Sequence, residues 1–333
     1  MKDIEDNITN TPRIGALADF FEKTALGELG KPDNTYLGDI NLFKNDEKML
    51  FFYLNHRKLQ GQFDKHFYFY SSIPFILEEE CRVGSALKDY LEKREGTQYL
   101  YVLGAAEGTM ARTIGNLSNG KIKTLSCSPT KANQDNFFRY GKPLHSKFIL
   151  SPYNKINNSN IRELFPNFNG FDVIIEDTTF QMYSPDRAKQ IKFTKEKLKN
   201  DGIIGFIEKF SNKDITEFLK REHIKDSLFK NRFFSQKAIR LKKENVLTDM
   251  NNCLVTIDTF KNILANFFKY AVINWNSGNF YTVYASNSKN NLLSFLSNMT
   301  PALTPSQFVH TKLPVPLLNL NEDDIKYRVV KEK

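Results

Sequence analysis

The sequence predicts an α/β fold: a doubly wound, mostly parallel seven-stranded sheet with a terminal antiparallel hairpin, preceded by an N-terminal helical cap. Three observations carry that prediction. Between residues 98 and 207, short apolar runs alternate with helical periodicity, the pattern of strands buried on both faces by crossover helices. The first of these runs passes straight into Gly104-Ala105-Ala106-Glu107-Gly108, a strand-to-helix turn made mainly of small residues. Late in the chain, apolar runs at 270–275 and 280–285 are joined by Asn276-Ser277-Gly278-Asn279, which signals a β-hairpin.

Each element has a local reason. Apolar residues from Ile14 to Phe21 recur at helical spacing after a Thr-Pro start, residues 48–54 continue the pattern, and a third helix spans about 74 to 93. The aromatic cluster at 67–70 reads as core or lid edge, because base-stacking platforms interleave with basic residues and this one does not. Residues 98–103 form the first strand, and the helix entered at Gly108 runs to about Leu117. Asn119-Gly120 turns into a second strand at 121–125; a third lies at 147–150. A fourth strand at 171–175 ends in Glu176 and Asp177, a helix follows over 185–198, and Asn200-Asp201-Gly202 turns into a fifth strand at 203–207. Ligands of such sheets bind beyond the carboxyl ends of the strands. That gathers residues 104–108, 126–128, 151–154 and 176–179 at one place. The expected organisation is a helical cap or lid over residues 1–91, a core over 92–286, and a C-terminal helix with an extended, Pro-punctuated arm over 287–333.

Composition removes several function classes. The 333 residues carry a formal net charge of +9. Three distant cysteines, Cys81, Cys127 and Cys253, supply neither a disulfide framework nor a metal knuckle. The five histidines are scattered without a zinc-binding spacing, so no metal site is expected. The first residues have no apolar signal region, and no apolar run approaches the roughly 20 residues that span a bilayer. A soluble, cytoplasmic protein without a membrane partner is the expectation. The charge is concentrated: residues 186–245 hold 17 basic against 9 acidic residues, whereas residues 1–95 hold 13 against 17. Such a block attracts phosphates or acidic partners, or else forms the solvated face of amphipathic helices; the second is expected.

A parallel sheet with a small-residue loop after its first strand and an antiparallel hairpin at its end resembles the class I, Rossmann-like S-adenosylmethionine-dependent methyltransferases, over residues 92–286. The resemblance implies S-adenosylmethionine as cofactor, S-adenosylhomocysteine as product, and a cofactor site made by Gly104, Ala105, Ala106, Glu107, Gly108 and Thr109, with Ser126, Cys127 and Asp177. Ser128-Pro129 matches the Ser-Pro that follows the family's second-strand acid. Two positions depart from the pattern: the acids expected at the ends of the first and second strands are Val102 and Ser126. Glu107 and Asp177 are then the candidates to contact the cofactor amine. Dinucleotide binding is disfavoured, because G-x-G-x-x-G would need glycine at Ala106 and an acid near Ser126.

Methyl transfer to oxygen or nitrogen requires an acceptor held in line and a group to take its proton. Asp177, at the end of the fourth strand, and Lys209, at the end of the fifth, are the catalytic candidates; without such a role, Lys209 would be a surface cation. There is a weaker likeness to the RNA ribose 2′-O-methyltransferases, whose Lys-Asp-Lys-Glu tetrad would fall on Lys93, Asp177 and Lys209, with Asn276, Ser277 and Asn279 where a glutamate is expected. The acceptor class, small molecule or RNA, stays open at this level. So does the alternative that the chain is an RNA-binding or protein-binding module on a catalytically dead methyltransferase fold.

Overall fold

The computed structural model describes residues 15–60, 68–104 and 106–330. Its sheet has eight strands in the order β3-β2-β1-β4-β5-β7-β6-β8. They are β1 (Gln98–Leu103), β2 (Ile122–Ser128), β3 (Ser146–Leu150), β4 (Phe171–Asp177), β5 (Leu198–Lys209), β6 (Tyr270–Ser277), β7 (Phe280–Ser286) and β8 (Val315–Leu318). The first five pair in parallel, and β7 lies antiparallel between β5 and β6. Parallel strands need long crossovers and a hairpin does not, so five strands and a hairpin are the arrangement the resemblance implies.

The eighth strand corrects the expected seven. Residues 315–318, expected to lie within an extended arm, pair antiparallel with β6 at the sheet edge, Pro316 opposite Val272. Proline has no N–H for a ladder bond and is tolerated only at such an edge. Four residues are also too short to display a period.

The helices numbered here are α1 (Gly15–Ala25), α2 (Glu47–Leu59), α3 (Ile76–Glu92), α4 (Thr109–Leu117), α5 (Lys131–Phe138), α6 (Asn158–Leu164), α7 (Arg187–Lys195), α8 (Ile215–Ile224), α9 (Gln236–Lys242), α10 (Ile257–Leu264) and α11 (Lys289–Leu296). Alternation along the strands divides the core in two. Leu100, Val102, Val173, Ile175, Ile203 and Ile207 pack with residues of α2, α3, α4 and α11 on one face. Tyr101, Leu103, Ile174, Ile204 and Phe206 pack with residues of α6, α7 and α10 on the other. Two buried layers of this kind are what hold a doubly wound sheet together.

Buried charge ties the outer segments to that core. Glu78, Glu79 and Glu80, at the start of α3, are all buried. Glu78 accepts from the Tyr36 hydroxyl, Glu80 from the Tyr70 hydroxyl at 2.7 Å, and Glu79 from Arg82 at 2.7 Å. Arg82 also donates to the carbonyls of Thr300 at 2.8 Å and Asn274 at 3.2 Å, joining the C-terminal arm to α3 and the sheet.

The connection from β5 to β6 departs most from expectation. After α8 the chain makes a π-helical turn over Lys225–Phe229, and after α9 another over Lys243–Leu247. Much of the basic block is exposed, including Lys213, Lys220, Lys237, Arg240 and Lys243, but Lys209, Lys225 and Lys230 are buried and Lys242 is half-buried. Helix α1 packs on both α5 and the second π-turn, closing that side. Among the described residues no helix is long and apolar enough to cross a membrane.

Candidate functional site

The carboxyl ends of β1, β4 and β5 open into one cleft. From β1 its wall takes Gly104 and Ala106, from the segment after β4 it takes Thr178, Gln181 and Met182, and from β5 it takes Lys209. Asn133 of α5 and Phe280 of β7 complete the sheet side. The opposite side is closed by Phe21, Thr24 and Ala25 of α1, by Tyr68, Phe69, Ser72 and Ile73, and by residues of the β5–β6 connection.

The loop after β1 is shaped by close approach. Gly104 has φ +74°, and a Cβ there would lie 1.4 Å from Thr179 Oγ1, so glycine is required by the fourth-strand loop itself. Thr179 Oγ1 donates to the Asp177 carbonyl at 3.0 Å. Glu176 fixes the same loop from beneath, its carboxylate accepting the N–H groups of Thr179 and, at 2.9 Å, Phe180. Burial, then the nearby Glu208, push the Glu176 carboxyl well above its ordinary range. Gly108, at φ +69°, lies over Ser126, whose Oγ would be 2.6 Å from a Cβ.

Two non-glycine residues bordering the cleft have left-handed backbone, Ala106 at φ +46° and Thr178 at φ +51°. Such conformations cost about 1–3 kcal/mol each and concentrate at functional sites.

The predicted residues divide between wall and support. Gly104 and Ala106 border the cleft, as does Lys209; Ala105 lies outside the described residues. Glu107 is buried, and its Oε1 accepts from the Thr109 hydroxyl at 3.2 Å and from Arg112 at 3.3 Å, joining the loop to α4. Ser126 is fully buried, and its hydroxyl has no hydrogen-bond partner among the described residues. Cys127, one residue on, turns to the other face and meets the Tyr101 hydroxyl at 3.0 Å. Asp177 is fully buried at the strand end, and its neighbour Thr178 reaches the cleft. Ser128 accepts from Thr130 N at 3.2 Å and Asn133 Nδ2 at 2.9 Å, so the Ser-Pro pair starts α5.

Lys209 is buried, not a surface cation. Its ammonium donates to Glu222 at 2.9 Å and to Asn251 at 3.0 Å. Burial lowers it to about 8, against the pull of Glu222. Burial alone would raise the Glu222 carboxyl, but Lys209 and Lys225 together hold it well below its ordinary range. Lys93 does not join this group: it directly precedes β1, at the amino-terminal end of the sheet, and donates to Asn298 at 2.5 Å. The hairpin asparagines are also occupied. Asn276 donates to the carbonyls of Gly278 and Phe280, both at 3.0 Å, and Asn279 donates to Glu222 at 3.0 Å. No tetrad of the ribose-methylating kind is assembled.

Sequence reasoning did not single out Tyr68, Ser72, Gln181, Lys225, Lys230 or Lys242 as site residues. The one signal pointing to them was the local charge excess, which carries no direction.

No family model matches the sequence, and no curated relative does. Among solved structures, the chain is similar to the plantazolicin methyltransferase BpumL in complex with a pentazolic desmethylPZN analog and SAH, at 11% identity, covering 75% of this chain and 99% of that one, with a TM-score of 0.47. It is also similar to a SAM-dependent methyltransferase from Aquifex aeolicus, at 12% identity, covering 71% of this chain and 98% of that one, with a TM-score of 0.41. These are likenesses in the layout of sheet and helices.

Proposed function

We propose that this protein is an S-adenosylmethionine-dependent methyltransferase acting on an oxygen or nitrogen acceptor held in the cleft. One observation carries the reading: the glycine loop, the strained fourth-strand end and a buried lysine with a lowered ammonium pKa border a single cavity at the carboxyl ends of the parallel strands. Gly104 and Ala106 present a wall almost without side chains, a surface on which a cofactor can lie against backbone, and Asn133, Thr178 and Gln181 add polar contacts beside it. These residues would hold the cofactor's methionine part and its neighbouring ribose. When bound, the cofactor supplies a methyl group on a sulfonium, open to attack in line.

The chain's own residues do the rest. Lys209 sits at the cleft with an ammonium pKa near 8, so it can take the acceptor's proton near neutral pH and hold it between Glu222 and Asn251. Asp177 positions the loop through its carbonyl, which receives the Thr179 hydroxyl beneath Gly104. The apolar residues of α1 and of 68–73 exclude water from the cleft, which supports a cap role for residues 1–91. Three buried cysteines, none in a disulfide, support a cytoplasmic setting.

A second reading, a binding module on a fold that has lost the cofactor, is favoured by Val102 and Ser126, which leave the ends of β1 and β2 without a carboxylate. Ligand-induced stabilisation separates the two. S-adenosylhomocysteine at 100 times its Kd should stabilise the protein by about 2.7 kcal/mol. NAD should have no effect, and a protein stabilised by neither would be the binding module.

A further inference from the structure

We propose that the cleft takes a small amphiphilic anion as the methyl acceptor, its carboxylate or phosphate head held where Lys230, Lys242, Tyr68 and Ser72 meet. The word acceptor rests on the methyltransferase reading; the anion site rests on the geometry alone.

Charge is the first observation. Four lysines border the cleft: Lys209, Lys225, Lys230 and Lys242. The carboxylates that pair with them are Glu222, at 2.9 Å from Lys209 and 2.6 Å from Lys225, and Asp226, at 3.2 Å from Lys230. Four lysines thus share two carboxylates. Lys242 has no carboxylate partner among the described residues and lies with its ammonium 3.5 Å above the Tyr68 ring. Burial lowers this ammonium well below its ordinary range with no neighbouring charge to offset it. A bound oxyanion would supply the missing partner.

Unused donors are the second observation. The hydroxyls of Tyr68 and Ser72 are buried, border the cleft, and have no hydrogen-bond partner among the described residues. Unpaired buried hydroxyls are costly, and both can donate to an oxyanion. Tyr68, Ser72, Lys230 and Lys242 also border a second pocket, so they form a neck between two spaces. The acid in that second space, Asp19, is paired with Lys23 at 2.8 Å. The remaining wall of the cleft is apolar at Ile73, Val246, Leu247, Met250 and Phe280, which calls for an apolar body behind the charged head.

Two other ligands fit less well. S-adenosylmethionine is placed at the loop after β1, so it does not account for an anion site at the far wall of the cleft. The four head-binding residues also belong to 68–72 and 230–242, not to the loop after β1. RNA needs exposed cations along an open groove, whereas three of these lysines are buried. On the surface of the same connection, Lys213 is paired with Asp258 at 2.6 Å and Lys220 with Glu217 at 3.7 Å.

The test is calorimetry on the full chain with phenylacetate, phenyl phosphate and the neutral phenylacetamide, with S-adenosylhomocysteine titrated separately. At least one of the two anions should bind ten-fold or more tighter than the amide, and which anion wins identifies the head group. Lys242→Met and Lys230→Met should each weaken the preferred anion at least ten-fold while S-adenosylhomocysteine affinity stays within about three-fold. Lys242→Arg should retain anion binding, and Lys242→Met should not lower the Tm, which separates loss of the site from loss of the fold. Equal affinity for amide and anions would overturn the proposal. Equal loss of anion and S-adenosylhomocysteine in the Met variants would also overturn it, by giving the lysines to the cofactor. Salt-sensitive RNA binding abolished by Lys242→Met, with no anion binding, would replace the small anion by nucleic acid. If the anions bind as expected and S-adenosylhomocysteine does not, the anion site stands and the methyltransferase reading fails.

Discussion

The ammonium of Lys209 lies 2.9 Å from Oε2 of Glu222, and the ammonium of Lys225 lies 2.6 Å from the same oxygen. One carboxylate therefore holds two buried cations, while its other oxygen accepts from Asn279 at 3.0 Å. Removing it leaves both cations without their main partner. Breaking a buried ion pair in this way costs about 3–5 kcal/mol. Glu222→Gln should lose that much in urea denaturation, whereas Lys209→Met, which leaves Glu222 paired with Lys225, should lose less.

The same pair sets a pH dependence of stability. The Glu222 carboxyl is held below its ordinary 4.5 in the folded chain. A group depressed in this way contributes stability that is complete above the unfolded pKa and is lost as pH falls through the folded one. The gap in unfolding free energy between the native chain and Glu222→Gln should be constant between pH 6 and pH 7, values chosen well above that unfolded pKa. It should narrow progressively in acid below about 4.5.

Lys209 should titrate near 8, where burial has lowered it. Lys197, outside the cleft, is also lowered to about 8 by burial, and burial lowers Lys230 and Lys242 as well. In an NMR titration of isotopically labelled lysine, Lys209→Met should remove one resonance moving near pH 8 and leave that of Lys197. Once an acceptor is in hand, kcat/KM should rise with pH through the same midpoint in the native chain. The Met variant should lose about 10²–10⁴-fold in rate together with that pH limb.

Gly104 and Thr179 test the loop. Gly104→Ala should cost about 1 kcal/mol for left-handed backbone and about 1–3 kcal/mol more for the overlap with Thr179. Adding Thr179→Ala should recover the overlap and leave the backbone cost, so the double variant should be more stable than Gly104→Ala alone. Chemical denaturation of the two variants beside the native chain checks this ordering.

Much of the architecture was legible because periodicity reports burial. Strands β1 to β7 lie at or close to their apolar runs, and Gly104 and Gly108 take the positive φ that a tight strand-to-helix turn needs. Strand β8 was hidden by its length and by Pro316. Side-chain direction was the least legible property. Nothing in the sequence says that Arg112, five residues on along α4, and the Thr109 hydroxyl both donate to Oε1 of Glu107. Most lysines of the β5–β6 connection are solvated as their charge suggests, and composition alone does not say that Lys225, Lys230 and Lys242 turn toward the cleft. Tyr68 showed only as part of an aromatic cluster read as core or lid edge, and Ser72 gave no signal, since Lys230 and Lys242, which meet them at the cleft, lie more than 150 residues away in the chain.

The central claim is that the cleft at the ends of β1, β4 and β5 binds S-adenosylmethionine. Isothermal titration of the full chain with S-adenosylmethionine and S-adenosylhomocysteine tests it most directly. One site per chain for each ligand, with weakened binding in Ala106→Trp at unchanged Tm, is the predicted result. No heat with either ligand at millimolar concentration would contradict the account.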